Sequence, residues 1–172
     1  HQIYNAGAAL ATLRYLELPE TGFEGAVTQA QWPARLQRLK TGSLKDLAPR
    51  AELWLDGGHN PAAGHALASH LAQLLPRPTY LICGMLNTKD VTGYLAPMAP
   101  YVTELFAVSI PGEANTLPAK TTATAAETVG MTAAAADTVN AAVIEILKSD
   151  PTSRILICGS LYLAGQILRE NA

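Results

Sequence analysis

The stretch Leu55-Asp56-Gly57-Gly58-His59-Asn60-Pro61 sets a carboxylate, two glycines and an imidazole directly before the start of a helix. Glycine lets the backbone pass close to a ligand or take up positive φ. The helix start offers free N–H groups and the positive end of a dipole, which favour anions. Asp56 can accept from ribose hydroxyls or an ammonium, and His59 can donate to a carboxylate or phosphate. The same residues also suit a tight, capped strand-to-helix turn in which Asp and His only satisfy backbone groups. Chemistry alone leaves both readings open.

Two further turns carry polar groups. In Gly84-Met85-Leu86-Asn87-Thr88-Lys89-Asp90, Lys89 and Asp90 could hold the charged groups of an amino acid or pair with each other at the surface. In Gly159-Ser160, the serine suits an N-cap and a ligand contact alike. Arg35 is a fork suited to phosphate oxygens or a solvated charge, and Asn5 a helix-start polar group. His65 and His70 fall on the polar side of a helix and are read as solvated. Their spacing does not put two metal ligands on one face. Trp32, Tyr94 and Tyr162 are read as packing residues, and Cys83 and Cys158 as small buried hydrophobes in strands.

These turns need elements to place them. Apolar spacing predicts helices over Asn5–Leu16 and Phe23–Ala30, with a possible extended segment starting near Leu36 and Leu39, and a turn at Thr41-Gly42-Ser43. From there strands and helices alternate. Strands are expected at Glu52–Leu55, Thr79–Cys83, Leu105–Ile110, Val129–Thr132 and Ile155–Cys158. Helices are expected at Pro61–Leu75, Thr122–Thr128 and Ala135–Lys148, with a helix or turns over Val91–Ala99 and a last helix from Ser160 to Glu170. Asn60 is the expected N-cap and Pro61 the first helical residue of the helix after the Asp-Gly-Gly-His turn. The pattern predicts an α/β fold: a three-layer, Rossmann-like, mostly parallel sheet with helices on both faces. Ligands of such sheets sit beyond the carboxyl ends of the strands, and all three polar turns follow strand ends. The strand order is not readable from the pattern.

Several segments, taken in order, resemble the folylpolyglutamate and dihydrofolate synthases of the Mur ligase superfamily. Asp56-Gly57-Gly58-His59-Asn60-Pro61 is similar to that family's D-G-A-H-N-P, with Gly58 where Ala is common. Trp32-Pro33-Ala34-Arg35-Leu36-Gln37 resembles W-P-G-R-L-Q, with Ala34 for Gly. Gly84 to Asp90 resembles G-M-L-x-D-K-D, with Thr88 for the first Asp. Cys158-Gly159-Ser160-Leu161-Tyr162 resembles the closing C-G-S-L-Y, and His1-Gln2-x-x-Asn5-Ala6 the last helix of the family's central ATPase domain. The resemblance implies that residues 1–30 end that ATPase domain and that residues 31–172 form the C-terminal glutamate-ligase domain.

It implies an ATP-dependent ligase that joins L-glutamate to dihydropteroate or folate through an acyl phosphate. Asn5, Arg35 and Asp56 then belong to ATP, and His59 and Ser160 to glutamate, with Lys89 and Asp90 candidates beside them. Magnesium ligands and the phosphate loop would lie on a preceding domain, so the fragment is expected to be inactive alone and the parent to be monomeric. The alternatives are a Mur-type ligase of peptidoglycan precursors, an unrelated Rossmann-like nucleotide-binding or oxidoreductase domain, and a non-catalytic α/β interaction module. There is no G-x-x-x-x-G-K-[ST] and no G-x-G-x-x-G in the chain, and no G-x-S-x-G around Ser160.

Composition narrows the classes. The 172 residues are 49% hydrophobic and 15% charged, enough to bury a core, and the formal net charge is −2. The 12 Lys and Arg residues are scattered, which argues against nucleic acid and membrane surfaces. Two cysteines and no charged-then-apolar leader give a cytoplasmic expectation. The absence of an initiator Met predicts a piece of a longer protein.

Overall fold

A computed structural model describes residues 2–171. The chain divides into two compact units between Pro33 and Ala34. His1 lies outside the described residues.

The first unit contains α1 (Gln2–Tyr15), a 3-10 turn at Glu20–Gly22 and α2 (Phe23–Thr28). Arg14 ties the turn to α1: it pairs with Glu20 at 3.3 Å and its guanidinium sits 5.9 Å from the Phe23 ring centre. Ala6, Leu10 and Leu13 form the expected stripe and line an apolar recess of about 310 Å³ with Ile3, Ala9 and Val27. Tyr15 and Leu16 leave the stripe and are exposed. Trp32 is 65% exposed, so it is not the packing residue its type suggested.

The second unit carries β1 (Gln37–Leu39), α3 (Ser43–Leu47), β2 (Glu52–Leu55), α4 (Pro61–Leu71), β3 (Thr79–Cys83), α5 (Val91–Leu95), β4 (Glu104–Ala107), α6 (Ala119–Thr128), β5 (Ala133–Ala135), α7 (Val139–Ser149), β6 (Arg154–Cys158) and α8 (Leu161–Glu170). The sheet order is β1-β2-β6-β3-β4-β5. β2, β6, β3, β4 and β5 run parallel, and only β1 at the edge is antiparallel. The last parallel strand thus lies between the first two. Every residue of β3 and β6 is buried, because helices cover both faces. On one face α4, α5 and α6 pack through Leu67, Tyr94, Leu95 and Ala126. On the other, α3, α7 and α8 pack through Leu44, Val143, Ile146, Leu163 and Ile167. The fold expectation holds.

Boundaries moved for local reasons. α4 stops at Leu71 rather than Leu75. Beyond it Gln73 and Leu74 donate only three residues back, to His70 and Leu71, and Leu75 is 84% exposed. The strand expected at Val129–Thr132 is the C-terminal wrap of α6. Gly130 takes φ 85°, and the N–H of Met131 reaches Ala126 O at 3.1 Å, a left-handed helix end of the Schellman kind. The strand follows at Ala133–Ala135, where pairing with β4 overrides the low strand preference of alanine. β4 ends at Ala107 because Ile110 turns away to donate to Thr116 Oγ1 at 2.7 Å.

Helix α3 replaces part of the expected turn after Lys40. Its cap comes from 127 residues away: Leu44 N–H donates to Asn171 Oδ1 at 2.8 Å, and Asn171 Nδ2 donates to Thr41 O at 2.9 Å. His65 is exposed as expected, whereas His70 is half-buried with its ring 6.0 Å from that of Trp54.

Candidate functional site

Because β6 sits between β2 and β3, the turns after all three strands open on one rim. Leu55 pairs with Ile157, and Cys83 with Cys158. The ladder continues one step, with Asp56 N–H on Ile157 O at 3.0 Å and Gly84 N–H on Cys158 O at 3.1 Å. Gly159 then leaves β6 at φ 104°, where a methyl group would lie 2.7 Å from Gly84 O and 2.8 Å from Cys83 Sγ. Glycine alone suits that backbone and that gap. Both thiols are buried and free, as read from the sequence. Contact with Cys158 and burial push the Cys83 thiol well up, so it stays protonated and unreactive.

His59, Leu86, Lys89, Gly159, Ser160, Leu161 and Tyr162 line one pocket of about 100 Å³ on this rim. Three residues singled out in sequence, from three separate turns, thus meet. His59 Nδ1 lies 2.9 Å from Gly57 O. A carbonyl only accepts, so Nδ1 carries the proton and Nε2 is left for a ligand. Ser160 is buried and caps α8, its Oγ accepting from Tyr162 N–H at 3.0 Å. Its hydroxyl proton remains for donation. Lys89 is half-buried, and no carboxylate among the described residues lies within ion-pair distance of it.

Asp90 does not join them. Its carboxylate caps α5, accepting from Gly93 N–H at 2.9 Å and from the Thr92 hydroxyl at 3.2 Å. No ion pair joins it to Lys89 among the described residues.

Arg35 and Asp56 form a second cluster on the same rim. Asp56 is 3% exposed. Oδ2 accepts from Leu36 N–H at 2.8 Å and Oδ1 from Gly58 N–H at 2.7 Å. Burial raises its carboxyl above the ordinary value, against the pull of those two N–H groups and the Arg35 charge. Asp56 therefore holds the Arg35 loop, one backbone N–H on each of its oxygens. That loop is bent: Ala34 and Leu36 take φ 55° and 46°, a region that costs a non-glycine residue about 1–2 kcal/mol. Gly57 N–H on Ala34 O at 2.8 Å and Ala34 N–H on Gln37 Oε1 at 2.9 Å hold it there. Gly57 links the clusters. A methyl there would collide with Leu161 Cδ2 and come 3.1 Å from Arg35 Nη1. Asn5 is exposed in α1, in the first unit, beside the apolar recess.

Leu86, Leu161 and Tyr162 were missed as pocket residues. Tyr162 is 59% and Leu161 47% exposed. They sit in the first turn of α8 immediately after Ser160, so adjacency to the capping serine was the available signal. Tyr94 is fully buried, as expected for packing.

A doubly wound α/β domain with its polar turns gathered at the strand ends is the class that fold and site define. Residues 38–170 match the family model described as dihydrofolate synthetase, C-terminal domain, and the chain belongs to that family. It is 28% identical over 138 residues to folylpolyglutamate synthase of Lacticaseibacillus casei, covering 80% of this chain and 29% of that protein. Among solved structures, the Mycobacterium tuberculosis folylpolyglutamate synthase complexed with ADP and AMPPCP superposes with a TM-score of 0.79. It is 27% identical and covers 100% of this chain and 40% of that one. A bifunctional folylpolyglutamate synthase/dihydrofolate synthase with Mn, AMPPNP and L-glutamate bound gives a TM-score of 0.76 at 27% identity, covering 97% and 39%. The chain thus spans less than half the length of these relatives.

Proposed function

We propose that this chain is the domain that receives L-glutamate in an ATP-dependent ligase, which adds glutamate to dihydropteroate or folate. The observation that carries this reading is the meeting of His59, Lys89 and Ser160 in one pocket, joined through Gly57 to Arg35. The relatives' complexes with ATP analogues and L-glutamate support it.

A carboxylate resists attack by an amine, so it is first activated as an acyl phosphate by transfer from ATP. The role of this chain is to bring the amine to that group and keep water out. The Lys89 ammonium anchors a glutamate carboxylate. His59 Nε2 and the Ser160 hydroxyl orient the amino acid. Arg35, held by Asp56, reaches the phosphates, where its planar fork binds oxygens in pairs. Asp56 acts as a positioning residue. Asn5 would meet the adenine from the first unit, which we read as the end of the ATPase domain. Magnesium, which commonly takes only one or two carboxylates besides the phosphates, is read as held by the ATPase domain, as the family resemblance implies.

The test is an assay of ATP-dependent glutamate addition by the full-length ligase and by the 172-residue chain alone. Turnover is expected from the first and none from the second. Turnover by the chain alone would overturn this division of labour.

A further inference from the structure

At the opposite rim of the sheet, three guanidinium groups converge on one carboxylate. Glu52 opens β2, Arg154 opens β6, Arg38 lies on β1 and Arg77 precedes β3. Glu52 Oε2 takes Arg154 Nε–H at 3.2 Å, and its Oε1 faces Arg77 Nη1 at 3.3 Å and Arg38 Nη2 at 3.5 Å. Arg154 is 5% exposed and engaged on every edge, through Thr79 Oγ1 at 3.3 Å and Leu75 O at 3.2 Å as well. Glu52 and Arg154 alone would neutralise each other and tie β2 to β6.

Arg38 and Arg77 therefore add two positive charges that Glu52 does not balance. They share one oxygen, each through a single terminal nitrogen, and their side chains are 35% and 36% exposed. Their other N–H groups have no hydrogen-bond partner among the described residues, and a guanidinium has five to offer. Arg38 is held in place 5.0 Å from the Trp54 ring centre. Two like charges drawn onto one oxygen repel each other, and a second anion between them would offset that repulsion.

We propose that Arg38 and Arg77, backed by Arg154, form a binding site for a free phosphate-type oxyanion. A tetrahedral dianion matches the surplus charge and has enough oxygens to bridge both forks. A plain strand-to-strand lock would be indifferent to added phosphate.

Thermal melts of the chain, with inorganic phosphate replacing chloride at constant ionic strength, test this. Phosphate at tenfold over its Kd is expected to raise Tm by about 3–5 °C. The double variant Arg38→Gln with Arg77→Gln is expected to lose that rise. Glu52→Gln is expected to melt lower without phosphate and to gain more from it than the wild type. In a Trp32→Phe background Trp54 is the remaining tryptophan, and its emission should titrate with phosphate at the same Kd, even where a variant melts too low to compare. No rise above chloride, or an equal rise in the double variant, overturns the proposal.

Discussion

Asp56 Oδ2 accepts the backbone N–H of Leu36 at 2.8 Å, across 20 residues of sequence. That bond fastens the bent segment carrying Arg35 to the turn carrying His59. Asp56→Asn would set an amide NH2 against one of the two backbone donors. The expected cost is about 2–3 kcal/mol, measured by urea unfolding at pH 7, with faster tryptic cleavage after Arg35. An unchanged midpoint and unchanged cleavage would remove the positioning role.

Gly58 stands where the family commonly has Ala, and space in this chain forbids the exchange. A methyl at Gly58 would lie 2.8 Å from both Ala63 Cβ and Asp56 Oδ1. Gly58→Ala is expected to lose about 1–3 kcal/mol. Adding Ala63→Gly should recover part of the loss, which a double-mutant cycle reads directly.

The half-buried Glu52 and the buried Asp56 give opposite pH slopes. For Glu52, burial raises the carboxyl, but Arg154, Arg38 and Arg77 outweigh it and leave it below its ordinary value of 4.5. The Trp54 indole adds a weak pull from outside hydrogen-bond geometry. Its contribution is present above about pH 4.5 and lost as pH falls through the folded value. For Asp56 the folded value is raised above 3.8, with burial the leading cause. Its contribution is present below that pH and lost as pH rises through the folded value. Melts from pH 7 to pH 3 should show the wild-type advantage over Glu52→Gln shrinking on acidification and the advantage over Asp56→Asn growing. Equal trends for both variants would contradict the assignment.

Asn171 caps α3 from the far end of the chain. Asn171→Ala is expected to cost about 1–2 kcal/mol and to speed amide hydrogen exchange at Leu44 more than within the β3–β6 core. Uniform exchange across both would show that the cap is incidental.

Much of this was legible in the residues. Asn60 before Pro61 marked the start of α4, and the structure gives that cap, Ala63 N–H on Asn60 Oδ1 at 2.9 Å. Continuous apolar runs marked β3 and β6 because both faces are covered. The insertion of β6 between β2 and β3 was not legible, since pairing depends on contacts far apart in sequence, yet that order is what brings Ser160 between His59 and Lys89. The cap that Asp90 places on α5 was not legible, because a carboxylate that caps a helix and one that binds an amine look alike in sequence. Tyr162 misled because an aromatic residue on the last helix suggested core, while the buried side of α8 is filled by Leu163, Ala164 and Ile167.

The pocket formed by His59, Lys89 and Ser160 is the centre of this account, and Lys89 is its sharpest probe. Under the proposed function, Lys89→Ala in the full-length ligase should raise the KM for L-glutamate by at least about tenfold, some 1.4 kcal/mol. The KM for ATP should stay within about twofold. An unchanged glutamate KM, or an equal rise in both, would contradict it.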